Sequence, residues 1–299
     1  MKESRDNLMM QDQSEKIHYT FEEYPVYIRK DHLADYPGFS GASHWHKDLE
    51  FIYIVSGKMK YSINGRQVAL NEGTGLMVNS HQFHFGYSED RSDCEFICLI
   101  VSPLLFSIND YFEKKYVRPL IEDARFPFLL LSQDHDWQKE ILACLKKIYN
   151  ASQKGERFLE MQQLLYQIWY QLFENTVTDS FLVQKKNSDL CSVKAMVSYI
   201  HQNYTQKVTL EQIAGAGHVC KSKCSALFKS YLSRTPGEYL NEYRLRKSLD
   251  DLMYSDMTIS ELSGRVGINS ASYYSELFRK YFFCSPKEYV KQHSAKMRE

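Results

Sequence analysis

PGEYLNEYRLRKSLDDLMY, residues 236–254, lies between two copies of one motif. Upstream runs VTLEQIAGAGHVCKSKCSALFKSYLSRTPGEYL from Val208; downstream runs MTISELSGRVGINSASYYSELFRKYFFCSPKEYV from Met257. Thr209 answers Thr258, Leu210 answers Ile259 and Ile213 answers Leu262, all at an offset of 49. Past the turn the offset is 50, pairing Leu227 with Leu277, Phe228 with Phe278, Tyr231 with Tyr281, Pro236 with Pro286, Glu238 with Glu288 and Tyr239 with Tyr289. Each copy reads as a short helix, a Gly-containing turn and a longer helix, which is the helix-turn-helix pattern.

Read as one continuous helix, the 19 residues 236–254 make a rod of about 28 Å at ~1.5 Å per residue. That is close to the ~34 Å between successive major-groove faces on one side of a DNA duplex. A stiff spacer of this length would let both second helices enter adjacent turns of the same groove. The plainer alternative is a helical bundle with an internal duplication.

Working outward, a helix from Ser192 carries Val193, Met196, Val197 and Ile200 inward and stops by Tyr204. Thr209 caps the next helix, and Gly215 and Gly217 are placed in the turn. The longer helix of the first copy spans about Cys220 to Tyr231. Its inner face is Cys224, Leu227, Phe228 and Tyr231, at i, i+3, i+4 and i+7. Lys221, Ser222, Ser225 and Ala226 then face outward, with Lys223 at the flank. In the second copy Tyr274, Leu277, Phe278 and Tyr281 are inward; Asn269, Ala271, Ser272, Tyr273 and Glu276 are outward.

The chain of 299 residues has room for about two domains. Its 43% hydrophobic content excludes global disorder. No apolar run approaches the ~18 residues of a membrane span, and the leader MKESRDNLMMQDQSEK lacks the apolar segment of a secretion signal. Seven Cys without a zinc-type set fit reduced thiols in the cytoplasm. Formal charge sums to zero, but unevenly: from Asn187 onward 16 Lys and Arg face 11 Asp and Glu, leaving 21 against 26 before it. The half with the repeat is the basic one, as nucleic-acid binding requires.

The amino-terminal half has period 2. Residues 19–29 alternate up to a break at Pro25, and Pro37-Gly38 is a turn. FIYIV after Glu50 is a buried strand, Ser56-Gly57 a turn, and Met59, Tyr61 and Ile63 share one face of the next strand. Asn64-Gly65 is a hairpin turn, residues 66–70 return, residues 71–73 turn again, and residues 76–78 and 95–101 are strands. Many short strands with tight turns point to a small β-barrel or sandwich.

From Asp136 the period becomes 3.6. Trp137, Ile141, Leu145 and Ile148 form one stripe; after a break at residues 153–155, Phe158, Met161, Leu165, Ile168 and Leu172 form another. These two antiparallel helices either cap the barrel or pair with a second subunit. Residues 175–189 lack periodicity and read as a linker, with Phe181, Leu182 and Val183 as docking points.

Two resemblances follow from these residues. Gly38-x5-His44-x-His46-x3-Glu50-x6-Gly57 resembles the first motif of the cupin superfamily at every position. The second motif is similar from Gly73 to His84, with Asn79 in place of Pro, His81 in place of Gly and Ser88 in place of the final Asn. In metal-using cupins the residues equivalent to His44, His46, Glu50 and His84 form a three-His, one-carboxylate site, a donor set suited to Fe, Mn, Ni or Zn. The resemblance leaves three uses open: a metal ligand set, contact with a small-molecule ligand, or a self-satisfied polar network.

The last hundred or so residues resemble the DNA-binding domain of AraC/XylS-type transcription regulators. The LEQIA-type helix, Gly267-Ile268, Ser275-Glu276-Leu277-Phe278-Arg279-Lys280-Tyr281-Phe282 and Pro286-x-x-Tyr289 carry the likeness. Ser263 stands for the usual Ala, Ile268 for Phe, and Ser233 and Phe283 for the Gly that commonly follows each recognition helix. Phe283 there points to a slightly altered turn, since a bulky residue resists φ > 0. The resemblance implies groove contacts by Ser222, Ser225, Ala226, Ala271, Ser272 and Glu276, with Lys223 and Tyr273 also in reach of base edges. Lys221, Lys229, Arg279 and Lys280 would hold phosphates.

The expectation is an α+β chain: a cupin-like β-barrel at residues 1–133, a helical hairpin at 134–176, a linker at 177–189, and an all-α tandem helix-turn-helix domain at 190–299. Its expected role is a cytoplasmic, non-enzymatic transcription regulator, a homodimer binding double-stranded DNA and a small-molecule effector such as a sugar, without cofactor or membrane. The alternatives are a metal-dependent cupin enzyme with a DNA-binding tail, in which His44, His46, Glu50 and His84 hold a divalent transition metal, and a constitutive DNA binder with a vestigial sensor.

Overall fold

The computed structural model describes residues 14–176, apart from Glu22 and Ala124, and residues 188–296. They belong to two compact units, one on each side of the boundary at residues 186/187. The proposed docking points Phe181, Leu182 and Val183 lie outside the described residues. No described helix is long and apolar enough to cross a membrane.

The first unit is built on one long strand. Strands β1 (Val26–His32), β2 (Leu49–Ile63), β3 (Arg66–Asn71), β4 (Gly75–Val78), β5 (His84–Tyr87), β6 (Cys94–Val101) and β7 (Phe128–Leu131) form a sheet in the order β1-β6-β2-β4-β7. β3 and β5 also pair with β2, through its second half. Ser56-Gly57 is therefore not a turn. The chain runs straight through it as a β-bulge, with the register against β6 shifting between Ile54 and Ser56. Gly57 has φ +80, and a Cβ there would stand 2.7 Å from the Asp93 carbonyl oxygen, so the bend needs glycine. Asn64 and Gly65 do form the hairpin turn, both with positive φ (48 and 80) as its type requires.

Alternation along β2 separates two cores. Phe51 and Tyr53 join the outer cluster with Ile28, Leu99 and Val101, while Ile52 and Ile54 join the inner one with Met59, Tyr61, Ile63 and Leu76. The connection after β6 contains two short helices, α1 (Asp110–Phe112) and α2 (Arg118–Ile121), around a π-helical turn. Helices α3 (Asp136–Ser152) and α4 (Phe158–Thr176) follow. Ile141, Leu145, Ile148, Met161, Leu165, Ile168 and Leu172 are buried in the outer cluster, so the hairpin covers the outside of the sheet. Trp137 packs against that cluster while half-buried.

The second unit begins with α5 (Ser188–Asn203), which starts inside the segment read as linker. It continues with α6 (Leu210–Ala216), α7 (Lys221–Leu232), α8 (Pro236–Lys247), α9 (Leu249–Tyr254), α10 (Ile259–Arg265), α11 (Ala271–Phe282) and α12 (Pro286–Lys296). Thr209, Thr235 and Thr258 each close a capping box, with Gln212, Glu238 and Glu261. The expected rod over 236–254 is two helices interrupted at Ser248. The Ser248 hydroxyl, fully buried, bonds back to the Leu245 carbonyl at 2.6 Å and shares a 2.7 Å hydrogen bond with the Tyr274 hydroxyl. The interruption is one residue wide: Ser248 keeps right-handed helical backbone (φ −85, ψ −9), its N–H donates to the Arg244 carbonyl at 3.1 Å, and its carbonyl accepts from the Leu252 N–H at 2.9 Å. α8 grips α11 through side chains: Asn241 donates to the Tyr273 hydroxyl at 3.3 Å and the Tyr281 hydroxyl donates to the Glu238 carbonyl at 3.1 Å.

Three local expectations are corrected. Gly215 lies inside α6, and the left-handed residue of the first turn is His218 (φ 53), matching Gly267 (φ 81) in the second copy. Gly217 answers a packing demand, since a Cβ would meet Met196 Cγ at 2.6 Å. Tyr231 and Tyr281 are only half-buried, and Leu232 and Phe282 take the fourth inner seats. Phe283 does not alter its turn: it adopts φ 59, ψ 15, and Ser233 adopts φ 55, ψ 23, both left-handed caps of the kind glycine usually fills. Exposed Ser233 therefore carries a Cβ penalty. Ser233→Gly should raise stability by about 0.5–1 kcal/mol, read as a higher urea midpoint by far-ultraviolet circular dichroism; a lower midpoint would contradict the left-handed assignment.

Candidate functional site

His44, His46, Glu50 and His84 come together, with one donor atom from each within 4.8 Å of all the others. Glu50 lies on β2, on the inward side it shares with Ile52 and Ile54. His44 and His84 are paired directly across an isolated bridge, through His44 N–H to the His84 carbonyl (3.2 Å) and the reverse (2.9 Å). The side chains of His46, Glu50 and His84 are 1–3% exposed; His44 is 20% exposed and forms the mouth. Each imidazole has its Nδ1 against a backbone carbonyl: Ala42 for His44 (2.8 Å), Asp48 for His46 (3.0 Å) and Gln82 for His84 (2.8 Å). A carbonyl only accepts, so all three carry the proton on Nδ1 and turn Nε2 into the cluster.

Glu50 Oε2 receives two of those Nε2 atoms, His46 at 3.3 Å and His84 at 3.1 Å, and Oε1 accepts a hydrogen bond from the Tyr61 hydroxyl. Burial alone would raise the Glu50 carboxyl, but the His84 charge and the two histidine contacts hold it well below the usual carboxylate range. Burial pulls His46 down, yet the hydrogen bond and charge of Glu50 leave it raised. His44 is lowered, chiefly by burial. Burial and the neighbouring Glu50 push the Tyr61 phenol well above its ordinary value. His81, where a glycine is usual, has φ 65, the conformation that explains that usage, and its N–H donates to the His46 carbonyl.

On the second unit, α7 and α11 present matching surfaces. In each, the fourth, seventh and eighth residues are buried: Cys224, Leu227 and Phe228 in α7, and Tyr274, Leu277 and Phe278 in α11. Ser222, Ala226, Ser272, Tyr273 and Glu276 are exposed, and Ser225 and Ala271 half-buried. Lys229 and Arg279 stand exposed in the last turns. Three other cations face carboxylates: Lys221 with Glu211 (2.6 Å), Lys223 with Asp189 (2.8 Å) and Lys280 with Glu238 (3.8 Å). These pairs are exposed, so each is worth little and exchanges readily for another anion.

An AraC-like ligand binding domain is matched over residues 32–169 and a helix-turn-helix domain over residues 213–292. The HTH-type transcriptional regulator YdeC of Bacillus subtilis is 34% identical over 254 residues, spanning 84% of this chain and 86% of YdeC. The chain belongs to the AraC family of transcription regulators. More distant AraC-family relatives include the melibiose operon regulatory protein of Escherichia coli, 21% identical over 90% of this chain and 89% of its own length. Among solved structures, ToxT from Vibrio cholerae aligns with 88% of the chain and 97% of its own length at 14% identity and a TM-score of 0.47.

Two residues at the His44, His46, Glu50 and His84 cluster of this AraC-family chain escape a reading by pattern. Tyr61 and Glu50 have opposite parity along β2, yet the bulge at residues 54–56 restores them to one face. Glu15, in the polar leader, brings its carboxylate Oε2 to 3.2 Å from His44 Nε2 while its N–H donates to the Trp45 carbonyl at 2.9 Å. No periodic signal marks Glu15; only the backbone pairing beside the His44-x-His46 segment reveals it.

Proposed function

We propose that this AraC-family regulator binds double-stranded operator DNA as a homodimer in the cytoplasm, through α7 and α11, under control of a small-molecule effector taken up at the His44, His46, Glu50 and His84 cluster. The matched exposure of α7 and α11 carries the reading: two copies bury the same positions and leave the same face open. Ser222, Ser225, Ala226, Ala271, Ser272 and Glu276 read base edges, with Lys223 and Tyr273 beside them; Glu276 accepts from cytosine N4. Lys221, Lys229, Arg279 and Lys280 hold phosphates, the paired lysines exchanging exposed carboxylates for the backbone. A sugar or related metabolite is the effector class, after the melibiose and lactose operon regulators among the relatives. The cluster is a binding site in this reading rather than a catalytic one. Leu159 and Tyr170, 86% and 60% exposed, stand eleven residues apart on one side of α4 and form the dimer face.

Sequencing of DNA fragments retained by the purified chain tests the reading and yields the half-site spacing. Glu276→Ala should change base preference at one position, while Lys229→Ala should weaken all sequences alike and lower the salt slope by about one. Equal loss at every sequence from both changes would contradict the assignment. An affinity that no metabolite alters would leave a constitutive binder.

A further inference from the structure

We propose that Asn241 is a positioning residue for base recognition: from α8 it aims the Tyr273 hydroxyl into the groove as a hydrogen-bond donor. This rests on the reading of α7 and α11 as the helices that enter DNA. Tyr273 is the third residue of α11 and 46% exposed, so the core does not hold its ring. Two hydrogen bonds do. Its N–H donates to the Ser270 hydroxyl at 3.2 Å, and its own hydroxyl accepts from Asn241 Nδ2 at 3.3 Å. The first fixes its main chain, the second its tip. Asn241 can serve as a fixed post because α8 is seated on α11 on either side of it. Three residues earlier, the Glu238 carbonyl accepts from the Tyr281 hydroxyl at 3.1 Å; four residues later, Leu245 is buried in one cluster with Tyr274, Leu277 and Phe278. Residues three and four apart share one helix face, so Glu238, Asn241 and Leu245 meet α11 together.

The sense of the bond matters as much as its place. A tyrosine hydroxyl has one proton and can accept as well as donate. Here Asn241 Nδ2 supplies the proton of the shared bond, which leaves the hydroxyl's own proton for another acceptor. In the major groove guanine, adenine and thymine each offer one, at N7, O6 or O4, whereas cytosine offers only its N4 amino donor. Tyr273 aimed in this way selects against cytosine at the base it meets. The first copy has the same layout built from charges: Lys223, the third residue of α7, lies 2.8 Å from Asp189 on α5, the helix that runs ahead of that copy as α8 runs ahead of the second. An exposed ion pair of that kind yields its lysine to a phosphate. The neutral amide on Tyr273 carries no charge for a phosphate to displace, so this tether persists while the hydroxyl reads.

The test is selection of DNA fragments by the full chain, scored base by base for the parent, Tyr273→Phe, Asn241→Ala and the double variant. The Asn241 side chain makes no other hydrogen bond among the described residues, so its loss leaves the fold intact. Tyr273→Phe and Asn241→Ala should each admit cytosine at the same base pair, relaxing its exclusion about two- to ten-fold, the range for releasing one ordered side chain. The double variant should go no further than Tyr273→Phe alone. Asn241→Ala that leaves base preference unchanged, or that weakens every sequence alike, would overturn the proposal. So would Tyr273→Phe without effect at any base, or a double variant in which the two losses multiply. A parent chain that retains no preferred sequence would overturn the reading of α7 and α11 itself, and the proposal with it.

Discussion

Glu50→Ala should destabilise the sensor barrel by about 3–5 kcal/mol in metal-free buffer, the cost of removing one member of a buried charged set. The size follows from what Glu50 serves. Its carboxylate accepts from Tyr61 and faces His46 and His84, and all of these side chains are buried. Without it a phenol loses its acceptor and two imidazoles lose the anion beside them, where water has little access. Glu50→Gln keeps the volume and one acceptor and should cost roughly half as much. Tryptophan fluorescence in urea reports the barrel unit alone, because the three tryptophans are Trp45, Trp137 and Trp169. A loss below about 1 kcal/mol for the alanine variant would mean that solvent or local rearrangement replaces Glu50, and that the cluster is not a desolvated unit.

The repeat was the most legible part of the chain because a helix-turn-helix buries the same positions wherever it occurs. Cys224, Leu227 and Phe228 and their counterparts Tyr274, Leu277 and Phe278 follow directly from spacing. Helix ends were less legible. Tyr231 and Leu232 both lie near the inner face, and only packing decides that the tyrosines, which carry a polar hydroxyl, stay half-buried while Leu232 and Phe282 go in. Ser248 is an ordinary helix residue by propensity, so neither its buried hydroxyl bond to Tyr274 nor the one-residue interruption between α8 and α9 shows in the pattern. In the barrel, the cluster was legible because His44, His46, Glu50 and His84 keep motif spacing. The bulge at Ser56-Gly57 has the composition of a turn, and nothing local tells a continuous bent strand from a hairpin. The short helices around residues 110–121 are too brief to show a period.

Acid should unfold the DNA-binding unit through His201, with a loss approaching 4–5 kcal/mol by about pH 3. His201 is buried in α5; its Nε2 lies 3.0 Å from the Tyr239 hydroxyl, and its ring stacks on Tyr243 at 4.0 Å. Its Nδ1 has no hydrogen-bond partner among the described residues. Charging the ring would put an unpaired N–H into an aromatic sandwich, near the like charge of Lys247. Burial first, and Lys247 second, take its pKa from 6.5 down to about 3. The groups facing it from α8 offer no relief: the Tyr239 and Tyr243 phenols are themselves raised by burial and stay neutral, and Lys247 is cationic. Because the folded pKa is the lower one, the unfolded chain takes up a proton that the folded unit refuses. Stability from this residue is thus fully present above about pH 6.5 and falls by at most about 1.4 kcal/mol per pH unit as pH drops toward 3. His201→Phe keeps the stacking ring but cannot be charged. It should be slightly less stable than the parent at pH 7, having lost the Tyr239 hydrogen bond (about 1 kcal/mol), and more stable by roughly 1–2 kcal/mol at pH 4.5. Urea curves read by far-ultraviolet circular dichroism across that range should therefore cross. Curves for parent and variant that stay parallel from pH 7 to pH 4.5 would show that His201 accepts its proton without penalty, and the acid lability would then belong to the carboxylates of the unit.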